Sequence, residues 1–152
     1  MKFVKFNKKT CYALKIMVDL ASQPDGALVL SKDIAKRRKI PPRFMAQIIA
    51  SLVKGGLISS FRGSRGGIRI SCDPAKISIT HVVEKIQSFS EPSNPCVAVI
   101  GECKTRTGCL IQIDKCSIRN AWMEAQRKMM DVLKDTSLED LVNLERNSLA
   151  TR

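Results

Sequence analysis

Between Lys9 and Ala21 the apolar residues Ala13, Leu14, Ile16, Met17, Leu20 and Ala21 recur at the spacing of one helical face. Gln23-Pro24-Asp25-Gly26 then breaks the period with turn residues. Ser31 can cap a short second helix that runs to about Arg38, with Asp33 in its first turn. Ile40-Pro41-Pro42 forces a turn, and Pro42 suits the first position of a third helix, where a missing N–H costs nothing. In that helix Phe44, Met45, Ile48, Ile49, Leu52 and Val53 share an apolar face. The opposite face carries Arg43, Ala46, Gln47, Ala50, Ser51 and Lys54, and Gly55-Gly56 ends the helix. The period then changes. Residues 57–61 and 68–71 read as two short strands joined by the glycine-rich loop Arg62-Gly63-Ser64-Arg65-Gly66-Gly67.

Asp73-Pro74 closes this hairpin. Thr80 can cap a fourth helix with apolar positions Val82, Val83, Ile86 and Phe89, which residues 90–95 terminate. After Cys116 the apolar residues Ile118, Trp122, Ala125, Met129 and Val132 alternate spacings of four and three. That spacing is a coiled-coil seam of about two heptads. Thr136 or Ser137 starts a last short helix through Leu144, and the tail from Asn147 is expected to fray. The predicted fold is mainly α with a small β-hairpin wing: a winged helix-turn-helix plus a long dimerisation helix. The expected division is 1–90 for the winged helix-turn-helix, 91–116 for a cysteine-rich loop, 117–135 for the dimerisation helix and 136–152 for the short helix and tail.

Charge sharpens this picture. Lys and Arg number 26 against 14 Asp and Glu, for a formal charge of +12 in 152 residues. Such an excess suits a polyanion, either nucleic acid or an anionic membrane surface. No apolar run reaches the length of a membrane span, and the lysine-rich start lacks a signal core, so the expected location is cytoplasmic with no membrane partner. The outer face of the third helix is small, polar and basic without an acid, which lets it enter a major groove without clash or repulsion. Arg62, Arg65 and Arg69 in and beside the hairpin loop suit a wing laid on phosphates or in a minor groove, with Arg65 at its tip. A nucleotide-binding glycine loop fits poorly, because a strand follows the glycines. The candidate DNA-contacting set is Arg43, Ala46, Gln47, Ser51, Lys54, Arg62, Arg65 and Arg69. The expected partners are double-stranded DNA carrying a pseudo-palindromic operator and a second copy of the chain, paired through Ile118, Trp122, Ala125, Met129 and Val132.

Six cysteines in a cytoplasmic chain point to metal or redox chemistry rather than structural disulfides. Cys96, Cys103, Cys109 and Cys116 fall in one irregular stretch, separated by six, five and six residues. Structural zinc favours tight C-x2-C knuckles, and none is present. A pliable loop with Gly101, Thr107 and Gly108 can wrap a larger iron–sulfur cluster, either 2Fe-2S or 4Fe-4S, while Lys104 and Arg106 offset thiolate charge. A disulfide-switch loop is the alternative. Cys11 falls in the first turn of the first helix, where the helix dipole favours a thiolate. Cys72, at a strand end, reads as a small buried residue, and His81 as a cap or surface residue. An enzyme or cluster carrier is the remote alternative: only Glu102 and Asp114 in the cysteine loop could serve as a base.

The order of parts resembles a group of bacterial winged-helix transcription regulators. It includes the iron–sulfur regulator IscR, the nitric-oxide-sensing repressor NsrR and the cysteine-metabolism regulator CymR. The resemblance covers nearly the whole chain. It rests on residues 10–14, Ile40-Pro41-Pro42-Arg43-Phe44 with Gln47-Ile48, Gly55-Gly56-Leu57-Ile58 leading to Arg62-Gly63 and Gly66-Gly67, the cysteine triplet, and residues 137–142. It implies a homodimer with crossed long helices, and Cys103, Cys109 and Cys116 as cluster ligands. The chain departs from the group at three places: Arg119 stands where several members have histidine, Ala46 where many have glutamate, and Ile68 where an aromatic is usual. A cubane needs a fourth protein ligand. The resemblance points to Cys11, reaching across from the partner subunit, with Cys96 as the local alternative. The implied function is that of a repressor sensing iron–sulfur or redox status, with a cluster-free thiol switch as its rival.

Overall fold

The computed structural model describes residues 7–87 and 116–150. Two compact units divide the chain: Phe6–Ser88 with Leu133–Arg152, and Met1–Lys5 with Phe89–Val132.

In the larger unit, α1 (Lys8–Ala21) is capped by Asn7, whose side chain accepts from the Thr10 N–H at 2.9 Å and the Thr10 hydroxyl at 3.1 Å. α2 (Ser31–Arg38) starts one position earlier than its composition suggests. Leu30 is the N-cap and makes no side-chain bond, while its carbonyl accepts from Asp33 at 3.0 Å. The helix stops at Lys39, which adopts a left-handed backbone with φ 52°. α3 (Pro42–Lys54) begins with proline as expected and closes through Gly55 and the left-handed Gly56.

The wing is an antiparallel pair of β1 (Ile58–Phe61) and β2 (Gly67–Ile70), with Ile58 opposite Ile70 and Phe61 opposite Gly67. Val29 adds a third edge. It exchanges two backbone hydrogen bonds with Ile68, at 2.9 and 2.8 Å, and so pins the base of the wing to the segment entering α2. Ile68 is buried, so this aliphatic side chain fills a core position.

Asp73 caps a single 3-10 turn over Pro74–Lys76. α4 (Ile79–Ile86) is capped by Ser78, not by Thr80. Ser78 and His81 form a reciprocal pair, His81 N–H donating to the Ser78 hydroxyl and Ser78 N–H donating to His81 Nδ1. Thr80 is buried instead, its hydroxyl 2.7 Å from that of Ser78.

α6 (Leu138–Ala150) returns to this unit after α5 (Ser117–Asp135). It packs on α1 and the 3-10 turn, burying Leu138 and Val142 in a core built from Ile16, Met17, Ile34, Ile48, Leu52 and Ile58. Backbone bonds Ile79 to Thr136 and Leu138 to Ile77 fasten its start. The helix is longer than its apolar pattern suggests. It passes Leu144 and continues through Asn147 to Ala150, where a frayed tail was expected.

Candidate nucleic-acid interface

The third helix presents its two faces as the periodicity requires. Met45, Ile48 and Leu52 are buried, whereas Arg43, Ala46, Gln47, Ala50 and Lys54 are exposed. Val53, assigned to the apolar face, is 39% exposed and lies at its margin. Ser51 is half-buried, and its hydroxyl donates to the Gln47 carbonyl at 3.0 Å, so one hydrogen of this polar set is used within the helix. The Arg43 guanidinium lies 5.0 Å from the centre of the Phe44 ring, which steadies a long side chain at the start of the face.

In the wing, Arg62 and Arg65 are exposed in the connecting loop, and Arg69 projects from β2 with its guanidinium 4.8 Å from the Phe61 ring centre. The loop has a defined backbone. Gly66 N–H donates to the Gly63 carbonyl at 3.0 Å, and a side chain at Gly66 would collide with the Phe61 carbonyl. Gly67 has φ +154°, and a Cβ there would lie 2.9 Å from the Val29 carbonyl oxygen. These glycines let the turn that carries Arg65 close tightly against the Phe61 and Val29 backbone.

Two features escape a linear reading. Lys9 from α1 and Lys85 from α4 join Ser51 and Lys54 around a hollow of about 470 Å³, with Glu84 on its wall. Three lysines from three helices carry no sequence signal, because each is an ordinary surface residue of its own helix. The second feature is Asp19, 3% exposed within the apolar run of α1. Arg37 and Arg38 of α2 hold it, at 2.6 and 2.9 Å, and Arg38 also reaches Glu145 of α6 at 2.9 Å. Burial works against the charge on Arg38, but the hydrogen bonds it donates to Glu145 and Asp19 outweigh it and raise the pKa. The hydrogen bond that Arg37 donates to Asp19 likewise raises the Arg37 pKa. The network ties α1, α2 and α6 together behind the outer face of α3.

Cys96, Cys103 and Cys109 lie outside the described residues. Cys116 is half-buried immediately before α5, and its carbonyl accepts from Asn120 at 3.0 Å. Cys11 is exposed near the start of α1. Cys72 is exposed as well, contrary to the expectation of a buried residue: the chain leaves the sheet at Ile70, and the thiol sits 3.9 Å from the Gly56 carbonyl. Among the described residues no group of three His, Cys, Asp or Glu side chains gathers. On α5, Ile118, Trp122 and Val132 are 69%, 47% and 63% exposed; Ala125 is also exposed and Met129 half-buried. Among the described residues no helix is long and apolar enough to cross a membrane.

The family described as Rrf2, iron-dependent transcriptional regulator, matches residues 6–144. The chain belongs to the Rrf2 family. A helix-turn-helix-type regulator of Aquifex aeolicus is 30% identical, over 95% of each chain. The regulator IscR of Photorhabdus laumondii is 28% identical, over 92% of this chain and 80% of its own. Among solved structures, CymR, the global cysteine regulator of B. subtilis, superposes with a TM-score of 0.73. That match covers 93% of this chain and 98% of CymR at 23% identity, which is a likeness of fold. The Rrf2 chain is thus a winged-helix, DNA-binding transcription regulator and not an enzyme.

Proposed function

We propose that this Rrf2 regulator binds a pseudo-palindromic operator as a homodimer and acts as a repressor. Iron–sulfur or redox status is sensed through Cys103, Cys109 and Cys116. The observation that carries the DNA reading is the acid-free, exposed face of α3 beside an arginine-bearing wing whose tight turn only glycine fits at positions 66 and 67. Gln47 and Arg43 reach base edges, while Ala46 leaves room for close approach. Arg65 enters the minor groove or follows the phosphates, and Arg62, Arg69, Lys54, Ser51, Lys9 and Lys85 hold the backbone.

The donor set supports a cluster. Three thiols in one loop suit iron–sulfur ligation, and the half-buried Cys116 stands immediately before α5. When bound, such a cluster supplies a centre sensitive to oxygen, nitric oxide or iron supply. Cys116 leads directly into the α5 seam, so whatever restrains Cys116 restrains the start of the pairing helix. Exposed Cys11 is free of core packing and available as the fourth ligand from the partner subunit, with Cys96 as the local alternative.

The test is anaerobic purification with a visible spectrum and iron and sulfide analysis. Single changes of Cys103, Cys109 or Cys116 to Ala abolish or destabilise the chromophore, and Cys11→Ala shortens its lifetime in air more than Cys96→Ala does. A colourless, iron-free wild type favours the cluster-free thiol switch. In parallel, Arg65→Ala weakens binding to every duplex and flattens the salt dependence by about one unit of slope, whereas Gln47→Ala lowers discrimination between operator and random DNA. Unchanged affinity in both variants rules out this surface.

A further inference from the structure

Between α2 and α3 lies a hollow of about 550 Å³, within the size range of small-molecule sites. Its existence follows from the turn. Lys39 in the left-handed region and extended Pro41 carry the chain away from α2 before Pro42 restarts a helix, so the two helices part at their outer edges. Ala35, Ile40, Met45 and Ile49 supply an apolar lining. Lys32 and Lys36, one turn apart on α2 and both exposed, stand on its rim. No acid lines the hollow, and among the described residues neither lysine has an ion-pair partner.

The polar groups decide what charge could enter. Pro42 has no N–H to offer, and the Asp33 and Ile34 N–H groups at the start of α2 are already given to the Leu30 carbonyl at 3.0 and 3.3 Å. Ser31, which opens α2 and also lines the hollow, adds a hydroxyl, so an anion at the rim meets two ammonium groups and one hydroxyl. A phosphate at the rim leaves the apolar lining without contacts. One carboxylate at the rim with an apolar body in the hollow satisfies both parts of the lining.

We propose that the α2–α3 hollow is a binding site for a small apolar monocarboxylate, held at its head by Lys32 and Lys36. Ala46 also lines the hollow and belongs to the exposed face of α3. On the DNA reading above, on which this step rests, ligand and DNA compete for the same edge of the recognition helix. The carboxylate is then an effector that releases the regulator.

Isothermal titration of the full chain with octanoate, octanol, octylammonium and inorganic phosphate tests the site, at concentrations below micelle formation. Octanoate binds saturably, octanol about tenfold more weakly, and octylammonium and phosphate do not bind. Lys32→Gln with Lys36→Gln weakens octanoate about tenfold and leaves octanol unchanged. Ala46→Phe, an exposed position whose new side chain occupies the hollow, weakens both. Absence of saturable octanoate binding, equal binding of octylammonium or phosphate, or indifference to the lysine pair overturns the proposal. Phosphate binding with lysine dependence assigns the hollow to the DNA backbone instead. In a second arm, octanoate raises the dissociation constant for a random duplex; an unaltered duplex affinity at saturating octanoate overturns the competition. A ligand-free wild type that binds no duplex at low salt tells against the DNA surface itself and leaves the carboxylate site standing.

Discussion

Single residues carry two of the chain's structural compromises. Lys39 is the only non-glycine residue with positive φ among those described, at 52°. A side chain there costs about 1 kcal/mol or more, part of which glycine returns as chain entropy. Lys39→Gly should therefore stabilise the protein by about 0.5 kcal/mol, read as a higher urea midpoint with an unchanged slope. Asp19 is the opposite case. Its carboxylate is buried and doubly paired, so removing it takes the partner from Arg37 and leaves the partly buried Arg38 to Glu145 alone. Asp19→Ala should cost about 2–4 kcal/mol, while Glu145→Gln, at the exposed end of the same network, should cost less than about 1 kcal/mol in chemical denaturation. Neither residue carries a signal along the chain. Lys39 is one of several basic residues ahead of Pro41-Pro42. The partners of Asp19 lie 18 and 19 positions away on another helix.

At the scale of elements, periodicity located the α-helices and both strands among the described residues, and proline and glycine located the ends of α3. The exceptions each have their own cause. Ser78 caps α4 rather than Thr80 because packing pulls the Thr80 side chain inward. The Val29 edge of the wing is a single residue pair, too short to have a period. α6 outlasts its apolar stripe because a reciprocal cap secures its first turn. Asp140 N–H donates to the Ser137 hydroxyl at 3.1 Å, and Ser137 N–H and hydroxyl donate to the Asp140 carboxylate at 2.8 and 2.7 Å. The hydroxyl bond, with the backbone bond second, lowers the Asp140 pKa below the ordinary aspartate range. A depressed folded-state pKa adds stability that is complete above the unfolded value and fades as pH falls through the folded one. Asp140→Asn should flatten that acid limb of the stability profile, and Ser137→Ala should remove the same dependence at the cost of a cap. An acid limb identical to wild type in both variants would place the titration on other carboxylates.

For the whole molecule, the informative surface is α5. A helix with Ile118, Trp122 and Val132 this exposed leaves apolar area that a second copy can cover. Trp122→Asp puts a charge into the proposed seam and should shift sedimentation from dimer to monomer, with loss of operator affinity and retention of helical content. A variant that still sediments as a dimer moves the pairing surface elsewhere. The net charge of +12 acts at the same scale, making association with DNA fall steeply as salt rises.

The amino-acid sequence by itself determined the element order, the two faces of α3 and the basic glycine wing. Each of these is written in neighbouring residues, through helical and strand periods and through backbone freedoms that only glycine and proline supply. Tertiary structure alone decided which surface groups meet: Lys9 and Lys85 beside Lys54, Asp19 between Arg37 and Arg38, and Lys32 and Lys36 at the rim of an apolar hollow. Such groupings depend on how helices distant in sequence are packed. A charge whose partner sits on another helix leaves no period of its own along the chain.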